Sequence, residues 1–184
     1  MCALHRRASQ GFTTIELMVV VAILAILAAL AAPSFQFLVE RWRVLQAVET
    51  LKTTLYYARS EAIKRGNDVY IEKLPKAQVA GCISDDTNQD WDCGWVIFID
   101  ANGNQSWNSG EEIRRFDIPK GITVSRTESG KTITISRWGT MNGASLLGFS
   151  IAPKGGLSDP STKGVCMAAG GRIRVINQEN VPCV

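Results

Sequence analysis

Two arginines late in the sequence have a spacing that suits phosphate binding. Arg172 and Arg174 alternate with Ile173 and Val175, so a β-strand would place both guanidinium groups on one face and both apolar side chains inward. Side chains two positions apart on a strand are separated by about 7 Å, which suits successive phosphates of a nucleic-acid backbone. Three more basic residues extend this predicted patch: Lys154, Lys163 and Arg137. The alternative is a solvated edge strand on which arginine merely discourages pairing.

Four of the five cysteines lie in two close pairs along the chain. Cys2 stands alone, whereas Cys82 lies near Cys93 and Cys166 lies near Cys183. Four cysteines can pair in three ways, and the clustering favours two local disulfides. Such bridges would staple long loops of an exported domain in an oxidising compartment. A zinc site is the alternative, but the sequence has no C-x-x-C and no histidine near these cysteines.

The residues needed for common catalytic mechanisms are missing. The single histidine is His5, so Ser-His-Asp and Cys-His nucleophile systems are excluded from the rest of the chain. The sequence has no P-loop and no dinucleotide fingerprint, and no pair of carboxylates stands out. We therefore expect a protein that is not an enzyme and that needs no cofactor.

One polar loop has a spacing similar to that of calcium-binding loops. Asp100, Asn102, Asn104 and Glu111 match ligand positions of an EF-hand, but Gln105 occupies the position of the required glycine. A polar hairpin turn is the preferred interpretation, and calcium binding stays open.

A single carboxylate stands in the most apolar stretch of the chain. No side chain from Leu17 to Ala32 is polar, and a helix over Phe12–Ala32 would span about 30 Å, the thickness of a bilayer core. Glu16 at its start needs a partner or a function, because an ionised carboxylate in lipid costs several kcal/mol. Arg6 and Arg7 precede the stretch and favour a cytoplasmic N-terminus, with the C-terminal domain beyond the inner membrane.

The segment Gly11–Leu17 resembles the processing site of type IV prepilins. The resemblance implies that a prepilin peptidase cuts after Gly11 and that the new terminal residue, Phe12, is N-methylated. It also implies that Glu16 neutralises the α-amino group of a neighbouring subunit during assembly, which lowers the cost of burying both charges. Pro33 corresponds to a family proline that bends the helix, as the missing N–H and the ring of proline predict.

Composition indicates one folded domain with a membrane-inserted tail. Of 184 residues, 46% are hydrophobic and 20% are charged, which excludes a disordered protein. The net charge of +3 conceals an acidic stretch over 67–112 and a basic stretch over 113–184. The pattern predicts four segments: a leader over 1–11, a transmembrane helix over 12–33, an amphipathic continuation over 34–66 and an antiparallel β domain over 67–184.

Periodicity supports this division. Apolar residues recur every three or four positions and form a stripe, which predicts the packing face of the second half of the helix and, at its N-terminal end, contact with other subunits. It consists of Leu38, Trp42, Leu45, Val48, Leu51, Leu55, Ala58 and Ala62. Gly66 predicts the helix end. Seven strands are predicted beyond it: Val69–Lys73, Gly94–Asp100, Ile113–Asp117, Ile122–Arg126, Thr132–Ser136, Gly148–Ala152 and Arg172–Ile176.

The soluble part resembles the FimT/GspH family of minor pilins and pseudopilins. The stretch Tyr57–Arg65 is similar to the family's "ARSEAIKR" segment, and Gly94–Asp100 followed by Gly110–Glu111 is similar to its strand-turn-strand. The resemblance implies an α+β, type IV pilin-like fold with a long kinked helix. It also implies a low-abundance subunit that primes or caps a filament, with other pilins of the filament or tip complex as partners.

Gly171–Arg174 matches the GRxR motif of DNA-binding FimT-type pilins of naturally competent bacteria. This match implies sequence-independent, salt-sensitive binding of double-stranded DNA for uptake in natural transformation. Two other functions fit the same sequence: a pseudopilin of a type II secretion system that contacts exported protein, and a structural adaptor without a ligand. The expected location is the inner membrane, with the C-terminal domain periplasmic, and then the pilus at the cell surface.

Overall fold

The computed structural model describes residues 12–84, 86–141 and 146–183, apart from the side chains of 31–34. The expected leader over 1–11 and its cleavage residue Gly11 lie outside the described residues, as does the side chain of Pro33. The chain divides into two units, residues 1–39 and 40–184.

One long helix, α1, runs over Thr14–Arg65. Within the described residues, no single helix meets the length and hydropathy requirements for crossing a membrane, but Thr14–Leu30 and Phe35–Arg65 meet them as a bent pair. The bend is 48° and lies at the break that contains Pro33. The expected kinked helix is therefore confirmed. The helix ends at Gly66, which adopts a positive φ of 66°.

The part of α1 in the second unit buries one face against the β-strands. The buried positions repeat at three- and four-residue intervals, as expected for a helix packed on a sheet. They are Val44, Ala47, Val48, Leu51, Thr54, Leu55, Ala58, Glu61 and Ala62. The N-terminal end of the predicted stripe does not pack on the strands, because Leu38 and Trp42 are 53% and 67% exposed. The expected contact of this end with other subunits stays a prediction. Helical periodicity continues over those residues, but the buried face begins only at Val44.

Within the described residues, eight strands form two antiparallel four-stranded sheets. The strands are β1 (Val69–Lys73), β2 (Trp95–Phe98), β3 (Glu112–Phe116), β4 (Ile122–Arg126), β5 (Thr132–Ile135), β6 (Leu146–Pro153), β7 (Lys163–Ala168) and β8 (Ile173–Asn177). The first sheet has the order β3-β2-β1-β5 and the second the order β4-β6-β7-β8. The α+β class is confirmed, and each of the seven predicted strands is present with its ends shifted by at most two residues.

Strand β7 was not predicted. Four consecutive residues of this strand, Gly164–Met167, are buried, so the alternation that marks a half-exposed strand is missing. Gly164 is needed there for close packing, since a Cβ at this position would lie 2.6 Å from Ile176 Cγ1. Glycine usually weakens a strand prediction, and here it permits the contact between β7 and β8.

Aromatic side chains connect the helix to both sheets. Trp91 lies between Trp95 and Phe149, with ring centroids 6.2 and 5.3 Å away. Trp95 on β2 donates its indole N–H to Thr54 Oγ1 on α1 at 2.7 Å, and both residues are fully buried. The one polar group of the Trp95 side chain is thereby satisfied inside the core.

Both local disulfides expected from the cysteine clustering are formed. Cys82 bonds to Cys93, and Cys166 bonds to Cys183, with Cα separations of 4.9 and 5.7 Å. Next to Cys93, the buried Asp92 accepts a hydrogen bond from the Val124 N–H on β4 at 2.5 Å. The Cys82–Cys93 disulfide is therefore connected to the second sheet through the neighbouring Asp92 carboxylate.

Candidate functional site

The N-terminal turn of α1 is arranged around Thr13 and Glu16. The Glu16 N–H donates to Thr13 Oγ1 at 3.3 Å, and the Leu17 N–H donates to the Thr13 carbonyl at 3.1 Å. Thr13 thus caps the helix, and Glu16 occupies the third helical position, where a carboxylate also favours the positive end of the helix dipole. Phe12 lies directly before the cap and is 81% exposed. The sequence T-x-x-E therefore defines where the helix starts.

The helix that follows is apolar on every side. All residues from 12 to 30 are exposed, and the side chains from Leu17 to Leu30 carry no polar group. A helix with this composition needs lipid or neighbouring helices around it. Glu16 would then be the only carboxylate available to a cation within that apolar layer, as the sequence predicts.

Arg172 and Arg174 lie on an outer strand of the second sheet. Arg174 stands opposite Cys166, and the Ala168 N–H bonds the Arg172 carbonyl at 3.0 Å, which extends the pairing of β7 and β8 to Arg172. Both side chains are exposed, and strand alternation places them on the same side. The turn before them requires Gly171, whose φ is +86°.

The prediction that Ile173 and Val175 point inward is half wrong. Ile173 packs against the main core, but Val175 is 43% exposed. Because β8 is the last strand of its sheet, the core does not extend far enough to cover Val175.

Strand register sets the spacing between Lys163 and the arginine pair. Lys163 stands opposite Asn177 on β8, three positions along β7 from the partner of Arg174 and five from the partner of Arg172, which corresponds to roughly 10 Å and 17 Å. Lys154 directly follows the last residue of β6. A Cβ on Gly121 would lie 3.9 Å from Lys154 Cε and 3.8 Å from Arg43 Nη1. The extension of the arginine patch by lysines 154 and 163 stays a prediction.

Arg137 lies near Arg172, and Arg59 on α1 explains why. Arg59 Nη1 donates to the Gly171 carbonyl at 3.4 Å, and its guanidinium also lies against Gly139. Two loops distant in sequence, around Arg137 and around Arg172, thereby meet over one helical side chain. The sequence analysis gives Arg59 no role, because this residue lies outside the apolar stripe. The one signal that could have indicated its contact with the two loops is its position in the family-like "ARSEAIKR" segment.

The polar loop between β2 and β3 uses its own side chains to satisfy its backbone. Asp100 accepts hydrogen bonds from the N–H groups of Gly103, Asn104 and Gln105, and Glu111 accepts from Ala101. These bonds support the preferred interpretation of a polar turn. Across the part of the chain that the structure describes, no group of three acidic, histidine or cysteine residues is arranged to hold a metal ion.

Two family models match the chain. The model "Type II transport protein GspH" matches residues 47–171, and the model "Prokaryotic N-terminal methylation motif" matches residues 6–32. The first covers more than half of the chain and ends at Gly171, directly before the arginine pair. The second covers the apolar helix with Phe12 and Glu16.

Individual relatives agree with these matches. A fimbrial protein of Pseudomonas aeruginosa is 43% identical over 70 residues, 38% of this chain and 45% of the relative. The pilin-like protein PilA1 of Thermus thermophilus is 31% identical over 103 residues, 56% of each chain. The chain thus spans about half the length of these curated relatives.

A solved structure confirms the pilin-like fold. The crystal structure of the type IV minor pilin FimU of Pseudomonas aeruginosa superposes with a TM-score of 0.60 at 22% identity, covering 79% of this chain and 98% of FimU. The methylation motif lies on the apolar helix, and this helix suggests anchoring in the inner membrane. The chain therefore belongs to the GspH family, and its N-terminal helix carries the prokaryotic N-terminal methylation motif.

Proposed function

We propose that this chain is a minor pilin of a type IV pilus that primes or caps the filament and binds DNA through Arg172 and Arg174. Assembly begins with cleavage after Gly11 and methylation of Phe12. The Glu16 carboxylate of an incoming subunit then pairs with the α-amino group of a neighbour, while the apolar helices leave the lipid and pack together. Thr13 supports this step, because its cap fixes Glu16 in the first turn of α1.

The assembly step is tested by Glu16→Ala. We expect normal membrane insertion and leader removal but strongly reduced incorporation into sheared filaments, measured by immunoblot. Glu40→Ala is the matched control, because Glu40 is an exposed carboxylate on the same helix beyond the apolar stretch. A bulky residue at Gly11 should instead block leader removal and leave a larger band. Normal incorporation of the Glu16 variant would contradict the charge-pairing role.

The exposed arginine pair on an outer strand is the observation that carries the DNA proposal. Two planar guanidinium groups on one side of β8 provide bidentate donors for successive phosphates. Contacts to phosphate carry no base information, so binding is independent of sequence and weakens with salt. With few phosphates neutralised, we expect double-stranded DNA to bind at micromolar strength or weaker.

The DNA proposal is tested with the full chain in detergent micelles and a labelled duplex at several salt concentrations. Changing Arg172 and Arg174 to glutamine should weaken binding to all sequences alike and lower the salt slope by about one to two units. The matched control changes Lys154 and Lys163 to glutamine, which removes the same charge outside the arginine pair. Equal loss in both double variants would indicate only a general charge effect and would refute the assigned site.

A type II secretion pseudopilin is the second candidate, favoured by the description of the matched family model. In that function the domain would contact exported protein rather than DNA. Deleting the gene distinguishes the two: a type IV minor pilin should change surface piliation and DNA uptake, whereas a pseudopilin should change the amount of secreted protein.

A further inference from the structure

A tight turn after β5 exposes one tryptophan next to the arginine pair. In the turn Ser136–Thr140, the Ser136 N–H bonds the Thr140 carbonyl at 2.7 Å and the Gly139 N–H bonds the Ser136 carbonyl at 2.8 Å. Ser136 Oγ also accepts from the Trp138 N–H at 3.3 Å. The backbone of this turn is thus held by its own hydrogen bonds, while the Trp138 side chain is 78% exposed.

The turn is packed directly against the one that precedes Arg172. A Cβ on Gly171 would lie 3.3 Å from the Gly139 carbonyl and would overlap Arg59 Nη1, and a Cβ on Gly139 would lie 2.8 Å from Arg59 Nε. Gly139 and Gly171 lie in different loops, and both pack against the Arg59 side chain. Trp138 and Arg172 are the immediate neighbours of these glycines, so the contact fixes their backbones close together.

Basic residues flank Trp138 along the chain and across the contact between Gly139 and Gly171. Arg137 precedes it in the turn, with its backbone N–H held by Asp68 Oδ1 at 3.1 Å, and Arg172 lies beyond the Gly139–Gly171 contact. Guanidinium groups hold phosphates, and an exposed aromatic face accepts an unpaired base by stacking, whatever the identity of the base. In a duplex the bases are stacked on each other and are out of reach of such a face.

We propose that Trp138 is a base-stacking site, so that this end of the domain binds single-stranded DNA more tightly than a duplex of the same length. The proposal rests on the proposed DNA function of Arg172 and Arg174 and adds a substrate class to it. The arginines contact phosphates in both forms of DNA, whereas Trp138 contributes only when a base is unpaired.

Fluorescence anisotropy with the full chain in detergent micelles tests this, using as probes a labelled oligo(dT) and a duplex of the same length, each about two helical turns long. We expect Trp138→Ala to weaken oligo(dT) binding about tenfold, in the range found for the loss of one stacked base, and to change duplex binding less than about twofold. Trp138→Phe should retain most of the affinity because it keeps an aromatic face. Trp42→Ala is the matched control, since Trp42 is also strongly exposed but lies on the helix at residue 42.

The outcomes separate the two proposals. If Trp138→Ala leaves oligo(dT) binding unchanged, or weakens both probes equally, base stacking is refuted even when the arginine variants lose binding. The exposed indole would then belong to a contact with another protein subunit or to the general surface. If the wild-type chain binds neither probe at low salt, the proposed DNA function itself fails, and the stacking site with it.

Discussion

Replacing Gly171 by alanine should destabilise the domain by about 2–3 kcal/mol. The first contribution comes from the backbone, because a φ of +86° is a left-handed conformation that costs a residue with a Cβ roughly 1–2 kcal/mol. The second comes from the new methyl group, which would overlap Arg59 Nη1. The guanidinium must move and lose its hydrogen bond to the Gly171 carbonyl, which is worth about 1 kcal/mol.

The two contributions can be measured separately. Guanidinium-induced unfolding of the full chain in detergent micelles, followed through the buried Trp91 and Trp95, gives the free energy of unfolding of each variant. In an Arg59→Ala background the overlap with the guanidinium disappears, so Gly171→Ala should then cost only the backbone part and the tight 3.3 Å approach to the Gly139 carbonyl. A double-mutant cycle should therefore give a coupling energy of about 1 kcal/mol between the two positions.

Gly170→Ala is the matched control for this experiment. Gly170 precedes Gly171 in the same turn, does not have a positive φ, and has no atom within 4 Å of the position that a Cβ would occupy. We expect its free energy of unfolding to stay within about 0.5 kcal/mol of wild type. If Gly171→Ala is as mild as this control, the left-handed turn and the Arg59 contact do not constrain the arginine loop, and the reasoning is wrong.

Two further predictions concern buried polar groups. Burial raises the pKa of Asp92 to about 6, above its value in the unfolded chain. The folded state therefore binds the proton more tightly, and the free energy of unfolding falls as the pH rises from 4 to above 6. Relative to Asp92→Asn, which keeps an acceptor oxygen, the wild type should lose about 2–3 kcal/mol over this range in urea titrations. If the free energies of unfolding of the two proteins change in parallel with pH, the raised pKa of Asp92 is refuted. Thr54→Val should cost about 1–3 kcal/mol because it leaves the Trp95 indole N–H buried without an acceptor, whereas Thr54→Ser should cost less; equal midpoints of thermal unfolding for the valine and serine variants would contradict this reasoning.

Local signals were sufficient for the helix and for most strands. Thr13 and Glu16 mark the start of α1, and Gly66 marks its end, because capping depends on residues within a few positions of each other. The disulfides followed from clustering for a similar reason, since Cys166 and Cys183 are only 17 positions apart. Strand β7 was missed because a strand buried on both faces has no alternation to detect.

The candidate site depends on contacts that no local pattern contains. Arg59 and Gly171 are 112 positions apart, and only the packing of α1 on the second sheet brings them together. Strand register, by contrast, places Lys163 three positions along β7 from the partner of Arg174.

The Cys166–Cys183 bond also has a mechanical consequence. Arg172 and Arg174 lie inside the covalent loop that this bond closes, and the loop contains the whole of β8. A bound ligand that pulls on either arginine exerts force on the segment between Cys166 on β7 and Cys183 after β8, and the disulfide joins the two ends of this segment. If the hydrogen bonds between β7 and β8 were to break under tension, the disulfide would limit how far β8 could extend. The segment with both arginines would then stay close to β7, and the two strands could pair again once the force fell.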